Sequence, residues 1–332
     1  MKALVSVEAG GPESLVFLDV PEPAIGPTDL LVRVKACGIN FPDGLIIRDK
    51  YQIRPPRPFS PGSEISGVVE KVGPAVTKFA PGEHVLARLG WGGMAEKIAV
   101  AQERCLRIDD DMPFEAAAAF IFTYGTAYHA LIDRAGLKAG DSVLVLGAAG
   151  GVGLATVQIA SALGANVTAA TSSEERTALA KAHGAVRGIV YPRGPFSPED
   201  SRRLAASMRE ACGLSGANII VDPIGGPFAE PALRAIARNG RYLVVGFVAG
   251  IPSIPLNLPL LKSSSIIGVE WGSFVRADPV AAERQGDALL AFYRQGKIKP
   301  VVSQRLAWAN APLAIAQLEQ RATTGKLVVL LD

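Results

Sequence analysis

The stretch Asp141-Ser-Val-Leu-Val-Leu-Gly-Ala-Ala-Gly-Gly-Val-Gly-Leu-Ala-Thr-Val-Gln-Ile-Ala160 decides the fold. Its first part is a short apolar run, which is typical of a buried parallel strand. A glycine-rich turn follows, and apolar residues then recur at helical spacing. A strand, a tight turn and a helix in this order bring bare backbone N–H groups and a helix N-terminus to a pyrophosphate. The stretch therefore predicts a dinucleotide-binding unit, with these residues at the phosphates: Gly150, Gly151, Val152 and Gly153.

The glycine spacing departs from the usual dinucleotide fingerprint. With Gly150 and Gly153 as the second and third glycines of G-x-G-x-x-G, the first position is Ala148. The spacing is better described as Gly147-x-x-Gly150-x-x-Gly153. A glycine-rich turn in some other α/β protein is the alternative, but the strand before the turn and the helix after it favour the dinucleotide interpretation.

Composition and charge limit the class of protein. The chain has 332 residues, of which 49% are hydrophobic and 20% charged, which suits two domains with sizeable cores. A formal net charge of +3, spread along the chain, argues against a dedicated nucleic-acid binder. Cys37, Cys105 and Cys212 lie far apart, which indicates reduced thiols in a cytoplasmic protein. The first residues predict a strand rather than a signal peptide, and no apolar run has the length of a membrane span.

The sequence before the glycine turn differs in pattern from the sequence after it. Residues 1 to about 122 contain short strand patterns separated by Gly and Pro turn signals, which predicts a partly open barrel. The predicted strands are Lys2–Glu8, Leu15–Val20, Asp29–Ala36, Glu64–Val72, His84–Ala87 and Ala95–Val100. From 123 to about 261, strand and helix patterns alternate, which predicts a doubly wound parallel sheet. The remainder, about 262–332, is expected to complete the first domain.

The end of the second strand of that sheet bears on the choice between NADH and NADPH. An acidic residue there accepts hydrogen bonds from the ribose 2′-hydroxyl of NADH. This strand ends instead in Thr171, Ser172 and Ser173, and Arg176 follows one turn into the helix. A charge-assisted hydrogen bond from Arg176 to the 2′-phosphate is worth roughly 1.5–3 kcal/mol, which favours NADPH. The alternative, in which Ser173 only caps the helix and Arg176 is solvated, stays open.

Several motifs together resemble a known superfamily. The segments Gly38-Ile-Asn40-Phe-Pro-Asp43 and Pro61-Gly62-Ser-Glu64-Ile-Ser-Gly67, ahead of the glycine turn, are similar to those of the medium-chain dehydrogenases/reductases. The segment from Thr123 to Leu131 and the pair Gly325-Lys326 resemble the zinc-independent NADPH:quinone oxidoreductases, the zeta-crystallin-like branch. The resemblance covers essentially the whole chain. It implies a Rossmann doubly wound parallel sheet over 123–261 and a GroES-like, partly open β-barrel catalytic domain over 1–122, completed by about 262–332.

The residues at the metal positions of related enzymes predict no metal. Alcohol dehydrogenases of the superfamily have a Cys where Asn40 stands and a His where Ser63 stands. They also carry a lobe with four close cysteines, for which Val85–Cys105 has no counterpart. A catalytic zinc needs about three protein ligands, and the spacing of the cysteines and histidines supplies no such set.

The resemblance implies an activity and a set of site residues. Without zinc, hydride transfer from NADPH suits quinones and activated enones, which accept electrons without a Lewis acid. Asn40 is expected to hydrogen-bond an acceptor oxygen, Tyr51 to do so or to supply a proton, and Thr126 to lie near the nicotinamide. Further contacts to the cofactor are implied for Tyr191, Gly246, Phe247, Val248, Val269, Glu270, Trp271 and Lys326.

Two other functions stay open from the sequence. An NADPH-dependent enoyl-thioester, acryloyl-thioester or enone reductase would use the same fold, because loops such as Gln52–Phe59 and Gly250–Pro259 build the substrate pocket. Zeta-crystallin-like proteins also include RNA-binding and structural members with a retained cofactor site. The resemblance further implies a homodimer joined through sheet edges, for which Ser265–Glu270 is a candidate edge strand.

Overall fold

The chain divides into two compact units. The computed structural model describes residues 1–320 and 323–331. The barrel unit comprises Met1–Phe122, Asp278–Leu290 and Pro300–Asp332. The parallel-sheet unit comprises Thr123–Ala277 and Ala291–Lys299.

The strands and helices follow the predicted alternation of short strands and then strand–helix pairs. The strands are β1 (Lys2–Ser6), β2 (Leu15–Asp19), β3 (Asp29–Gly38), β4 (Glu64–Val72), β5 (His84–Arg88), β6 (Lys97–Ala101), β7 (Cys105–Arg107), β8 (Ser142–Leu146), β9 (Asn166–Thr171), β10 (Arg187–Val190), β11 (Ala217–Asp222), β12 (Ile236–Val244), β13 (Ser265–Gly268), β14 (Val302–Ala307) and β15 (Lys326–Leu330). The helices are α1 (Phe41–Ile46), α2 (Phe114–Ala117), α3 (Ile121–Tyr128), α4 (Gly151–Ala162), α5 (Glu174–Ala182), α6 (Pro198–Ala211), α7 (Ala229–Arg234), α8 (Asn257–Lys262), α9 (Trp271–Ala277), α10 (Pro279–Arg294) and α11 (Ala311–Glu319). None of the described helices is long and apolar enough to cross a membrane.

The barrel unit is built on a seven-stranded sheet and a separate hairpin. The sheet order is β14-β15-β3-β4-β5-β7, with β6 paired to β3, and β1 pairs with β2. The pairs of this sheet are antiparallel except β14–β15. Strand β15 therefore brings a segment from the end of the chain beside β3 near its beginning. This pairing positions Lys326 in the barrel unit. Residues 262–277 and 291–299, which were expected to complete that unit, lie in the parallel-sheet unit instead.

The parallel-sheet unit has the order of a doubly wound nucleotide-binding fold. Its six strands run β10-β9-β8-β11-β12-β13, and every pair is parallel. The strand order reverses between β8 and β11, and in such sheets the ligand crevice lies at that point, outside the carboxyl ends of the strands. The apolar run Val143–Leu146 of β8 is fully buried, as a strand covered by helices on both faces must be. The predicted α/β fold class is confirmed.

Two helices were not predicted, and both lie after β12. Helix α8 lies in a proline-punctuated segment that the sequence marks as irregular. Helix α9 begins at Trp271, directly after the strand that was expected to reach Glu270; β13 ends at Gly268, and the carboxylate of Glu270 accepts the backbone N–H of Ser273. An acidic side chain that binds the first-turn N–H groups stabilises a helix start there.

Candidate functional site

The glycine turn has the geometry that a pyrophosphate site needs. Gly147 has a positive φ of 59°, and the N–H of Gly150 donates to its carbonyl oxygen at 2.9 Å. A Cβ on Gly153 would stand 2.1 Å from the Gly147 oxygen, so only glycine allows α4 to pack this closely on the turn. A Cβ on Gly150 would meet nothing nearer than 3.4 Å, which leaves its outer side open. The first N–H groups of α4, from Gly151 to Gly153, lack intrahelical acceptors and attract an anion.

Of the three hydroxyl residues at the end of β9, Thr171 and Ser173 bond within the protein and Ser172 is exposed. Thr171 is 1% exposed, and its hydroxyl donates to the Ser173 oxygen at 3.0 Å and lies 2.7 Å from the Thr177 hydroxyl. Ser173 caps α5 by accepting the Arg176 N–H at 3.3 Å. Ser172 is exposed. Of the predicted hydroxyl contacts, Ser172 is therefore the one whose side chain faces away from the helix start.

Tyr191 connects the glycine turn to Arg176. Its N–H donates to the Thr171 oxygen at 2.8 Å, and its hydroxyl receives a hydrogen bond from the Gly147 backbone. Burial raises the pKa of Tyr191, and the nearby charge of Arg176 opposes that rise. The ring packs on Phe228 at a centroid distance of 4.7 Å. The structure thus brings together the predicted phosphate and adenosine residues from three strand ends.

The loops after β11 and β12 are joined to each other by backbone hydrogen bonds. Gly226 donates to the Gly250 oxygen at 2.7 Å, and the Gly246 N–H donates to the Asp222 oxygen at 3.3 Å. The Asp222 carboxylate accepts the N–H groups of Ile224 and Gly225 at 2.7 and 2.8 Å. On these joined loops Phe247 is exposed and Val248 half-buried, as residues facing a ligand can be.

Trp271 packs in the parallel-sheet unit against Gly125, the residue before Thr126. Trp271, at the start of α9, is 7% exposed and packs so closely on Gly125 that a Cβ there would stand 2.5 Å from its ring. Thr126 follows directly and is 8% exposed. Val269 is also buried, with its N–H bound to the Val244 oxygen at 2.9 Å. Glu270 instead caps α9 and stands 3.9 Å from Arg276, so its carboxylate has a local structural role.

The barrel unit contains a buried polar cluster, by which we mean Asn40, Asp43, Ser63, Glu64 and Lys326. Each of these residues is at most 5% exposed. The ammonium of Lys326 donates to Asn40 Oδ1 at 2.7 Å, to Glu64 Oε2 at 3.0 Å and to the Ile39 carbonyl at 3.0 Å. Glu64 Oε1 accepts the Phe122 N–H at 2.8 Å. A lysine ammonium with three hydrogen bonds stands at the centre of the cluster.

Asn40 and Asp43 complete the cluster from the first turn of α1. The Asn40 amide nitrogen lies 3.3 Å from each of three acceptors, which are the Gly38 oxygen, Ser63 Oγ and Glu64 Oε2. Its backbone N–H donates to Asp43 Oδ2 at 2.7 Å. Burial raises the pKa of Asp43 to about 6, although the Asn40 N–H, Lys326 and the Ser63 hydroxyl oppose the rise.

Comparisons with known proteins agree along the whole chain. Residues 26–110 match the family model for the alcohol dehydrogenase GroES-like domain, and residues 151–284 match that for zinc-binding dehydrogenase. A quinone oxidoreductase-like protein 2 homolog of Nematostella vectensis is 38% identical over 309 residues, which are 92% of this chain and 82% of that protein. Human quinone oxidoreductase is 32% identical over 336 residues, covering 100% of this chain and 98% of that protein.

The chain belongs to the quinone oxidoreductase family of the medium-chain dehydrogenases/reductases. The predicted family is thereby confirmed. A mycobacterial protein solved in complex with NADPH has the same fold, with 30% identity, a TM-score of 0.91 and full coverage of both chains.

The buried polar cluster of this quinone oxidoreductase family member does not suit a zinc ion. Among residues 1–320 and 323–331, no group of three or more His, Cys, Asp or Glu side chains could hold a metal. Burial raises the pKa of Cys37 well above its usual value, so the thiol is protonated in the metal-free protein. The Lys326 ammonium already places a positive charge against Asn40 and Glu64, so a cation there would meet like charge.

The sequence assigned no role to two members of the cluster, Asp43 and Glu64. The ammonium of Lys326 binds groups of the barrel unit, and its expected contact with the cofactor stays a prediction. The sequence signal for Glu64 is an acidic residue at the start of the strand pattern Glu64–Val72. Tyr51 is half-buried against the barrel core, and its predicted contact with substrate stays a prediction.

Proposed function

We propose that this protein is an NADPH-dependent oxidoreductase that reduces quinones by hydride transfer without zinc. The observation that carries the proposal is the Lys326 ammonium at the centre of the buried polar cluster. A fixed internal cation there leaves no place for a catalytic metal. Acceptors that need no Lewis acid, such as quinones, then suit the site better than simple ketones. The names of the family relatives support the same substrate class.

The parallel-sheet unit would hold NADPH. Gly150 to Gly153 would bind the pyrophosphate through backbone N–H groups. Ser172 and Arg176 would bind the 2′-phosphate, and Tyr191 would contact the adenosine end. The nicotinamide would be lined by Thr126, Gly246, Phe247, Val248, Val269 and Trp271. The NADPH complex of the mycobacterial relative supports this choice of cofactor. When bound, NADPH supplies the hydride.

The barrel unit would bind the acceptor through Asn40 and Tyr51. The Asn40 amide has two hydrogens for three acceptors at 3.3 Å, so one of these weak contacts can be exchanged for a quinone oxygen. Its Oδ1 would stay bound to Lys326, which keeps the amide in one orientation. Tyr51 would donate a hydrogen bond or a proton to the second oxygen.

Steady-state NADPH oxidation with a panel of acceptors tests the substrate class. We expect kcat/KM to be highest for quinones, lower for activated enones and lowest for enoyl thioesters. NADH serves as the control cofactor. A preference of tenfold or more for an enoyl thioester over each quinone would contradict the proposal and favour a thioester reductase.

We also propose a homodimer joined through the edge of the parallel sheet. Strand β13 is the last strand in the sheet order, and its Ile266 is 40% exposed. Next to it lies an apolar patch with exposed fractions from 68% to 83%, formed by Ile251, Leu256, Leu260 and Leu261. Large exposed apolar patches mark interaction sites, and an edge strand offers unpaired backbone groups to a second copy. The buried free thiols Cys37, Cys105 and Cys212 support a cytoplasmic location.

A further inference from the structure

The barrel unit has a cavity that shares no residue with the buried polar cluster. It has a volume of about 700 Å³ and is lined by the hairpin β1–β2, strand β6 and the loops before β4 and β6. In β1, Leu4 belongs to the barrel core, whereas Ala3 and Val5 line the cavity. Because successive side chains of a strand face opposite sides, the cavity lies on the outer face of this hairpin.

Small side chains leave the cavity open. Alanine or glycine occupies many of the lining positions, namely Ala3 in β1, Ala99 and Ala101 in β6, and Gly90, Gly92 and Ala95 in the loop before β6. Protein interiors are otherwise packed as densely as organic crystals. The volume falls within the ~300–1,000 Å³ that is typical of small-molecule pockets. The opening is therefore large enough for a ring system.

The charges on the wall are all positive. The lining includes Lys97 and Arg104 but no acidic residue. Lys97 is neutralised by Glu22 and Glu70, each at 2.8 Å, and neither acid belongs to the lining. Arg104 is exposed, and within the described part of the chain it takes part in no ion pair. Burial and the like charge of Arg104 lower the pKa of the neighbouring Arg88. This end of the cavity is thus rich in positive charge.

We propose that this cavity is a binding site for a small aromatic carboxylate. The ring would lie against Trp91, which is 40% exposed, and against the apolar wall that includes Pro56 and Pro58. The carboxylate would pair with Arg104, whose planar guanidinium matches both carboxylate oxygens. A neutral ring of the same size would make the apolar contacts but would form no ion pair with Arg104. This site does not depend on the proposed quinone reduction.

Titration of the purified full-length protein with naphthoate tests the proposal. Binding is followed by calorimetry and by quenching of tryptophan fluorescence, and naphthylmethanol serves as the uncharged ligand of equal shape. We expect saturable binding of naphthoate, with naphthylmethanol about tenfold weaker, as the loss of one charge-assisted hydrogen bond implies.

Variants assign the binding to this cavity. Arg104→Gln should bring naphthoate down to the affinity of naphthylmethanol, and Ala99→Trp, which fills the cavity, should abolish binding of both. Arg209→Gln, a change at an exposed arginine on α6, is the matched control and should bind as the unaltered protein does. If Ala99→Trp lowers the melting temperature sharply, Ala101→Leu replaces it as the filling variant.

Three results would overturn the proposal. They are the absence of saturable naphthoate binding, binding that neither Arg104→Gln nor the filling variant alters, and competitive displacement of naphthoate by a quinone acceptor. The last result would assign the cavity to the substrate site instead.

Discussion

Lys326 is the residue on which the barrel-unit site depends. It is 5% exposed and bound to Glu64, which has no solvent exposure at all. The pair could not be predicted from the sequence, since 262 positions separate Lys326 from Glu64 and 286 separate it from Asn40. Only the pairing of β15 with β3 brings them together. The local motif around Asn40 was visible in the sequence, but its partners were not.

Loss of the Lys326 ammonium should be strongly destabilising. Lys326→Met leaves Glu64 buried without its counter-charge, which costs roughly 3–5 kcal/mol in the free energy of unfolding. Adding Glu64→Gln should recover a large part of that cost, because the uncompensated charge is then gone. Lys71→Met is the matched control, since Lys71 forms an exposed ion pair with Glu22. Urea denaturation measures the free energy of unfolding of the three variants. Equal losses of stability in Lys326→Met and Lys71→Met would contradict the role of Lys326 as counter-charge to Glu64.

Asp43 should make stability depend on pH. Its pKa is raised from 3.8 to about 6, so the folded protein holds a proton that the unfolded chain releases. Stability from this group is therefore greatest below about pH 4 and falls as pH rises toward 6. The difference in unfolding free energy between the unaltered protein and Asp43→Asn should fall by an amount on the order of 3 kcal/mol across that window. A difference that does not change with pH would show that Asp43 titrates normally.

Arg176 should discriminate between the two dinucleotides. Its charge acts on Tyr191, and the proposed 2′-phosphate site includes it together with Ser172; NADH lacks this phosphate. Arg176→Ala should weaken NADPH binding about tenfold and leave NADH nearly unchanged, as expected for one charge-assisted hydrogen bond. Fluorescence titration of both cofactors measures this, with Arg203→Ala on α6 as the control. Equal losses for NADPH and NADH would remove Arg176 from the phosphate site.

At the scale of elements, local patterns predicted most of the architecture. The β8–turn–α4 unit follows from one contiguous stretch, because a buried strand, glycines and helical spacing each have a local signature. Helices α8 and α9 were not predicted, because their ends lack the usual sequence signals. Helix α8 ends at Ser263 with a positive φ of 50°, without the glycine that usually marks such an end. Helix α9 depends on the cap from Glu270 to the Ser273 N–H, and the sequence instead placed Glu270 in the preceding strand.

The exposed face of α8 predicts self-association. Leu260 is 77% exposed, next to the free edge of β13. Leu260→Lys should convert a dimer to a monomer at micromolar concentration, because a charge replaces apolar contact at the interface. Sedimentation equilibrium measures the mass, with Leu214→Lys as the control, since Leu214 is 98% exposed outside this patch. A monomer in the unaltered protein, or a dimer that survives Leu260→Lys, would contradict this interface.

For the whole molecule, family membership is supported by the entire chain, whereas the proposed chemistry is supported by only a few residues. Both family models and the full-length relatives match across the two units, so the fold and the oxidoreductase family follow together. The proposed quinone substrate and the proposed zinc independence rest instead on a few side chains in the barrel unit. The sequence predicts no metal ligand at Asn40 or Ser63, whereas the Lys326 ammonium bound to Asn40 is seen only in the folded chain.

Quinone-dependent NADPH oxidation by metal-stripped protein tests the central claim most directly. The protein is dialysed against a chelator, its zinc content is measured, and the rate of absorbance loss by NADPH is recorded with a benzoquinone. We predict an unchanged kcat before and after dialysis, with no zinc bound in stoichiometric amount. Loss of activity on dialysis with recovery on adding zinc, or no oxidation of NADPH by any quinone, would contradict it.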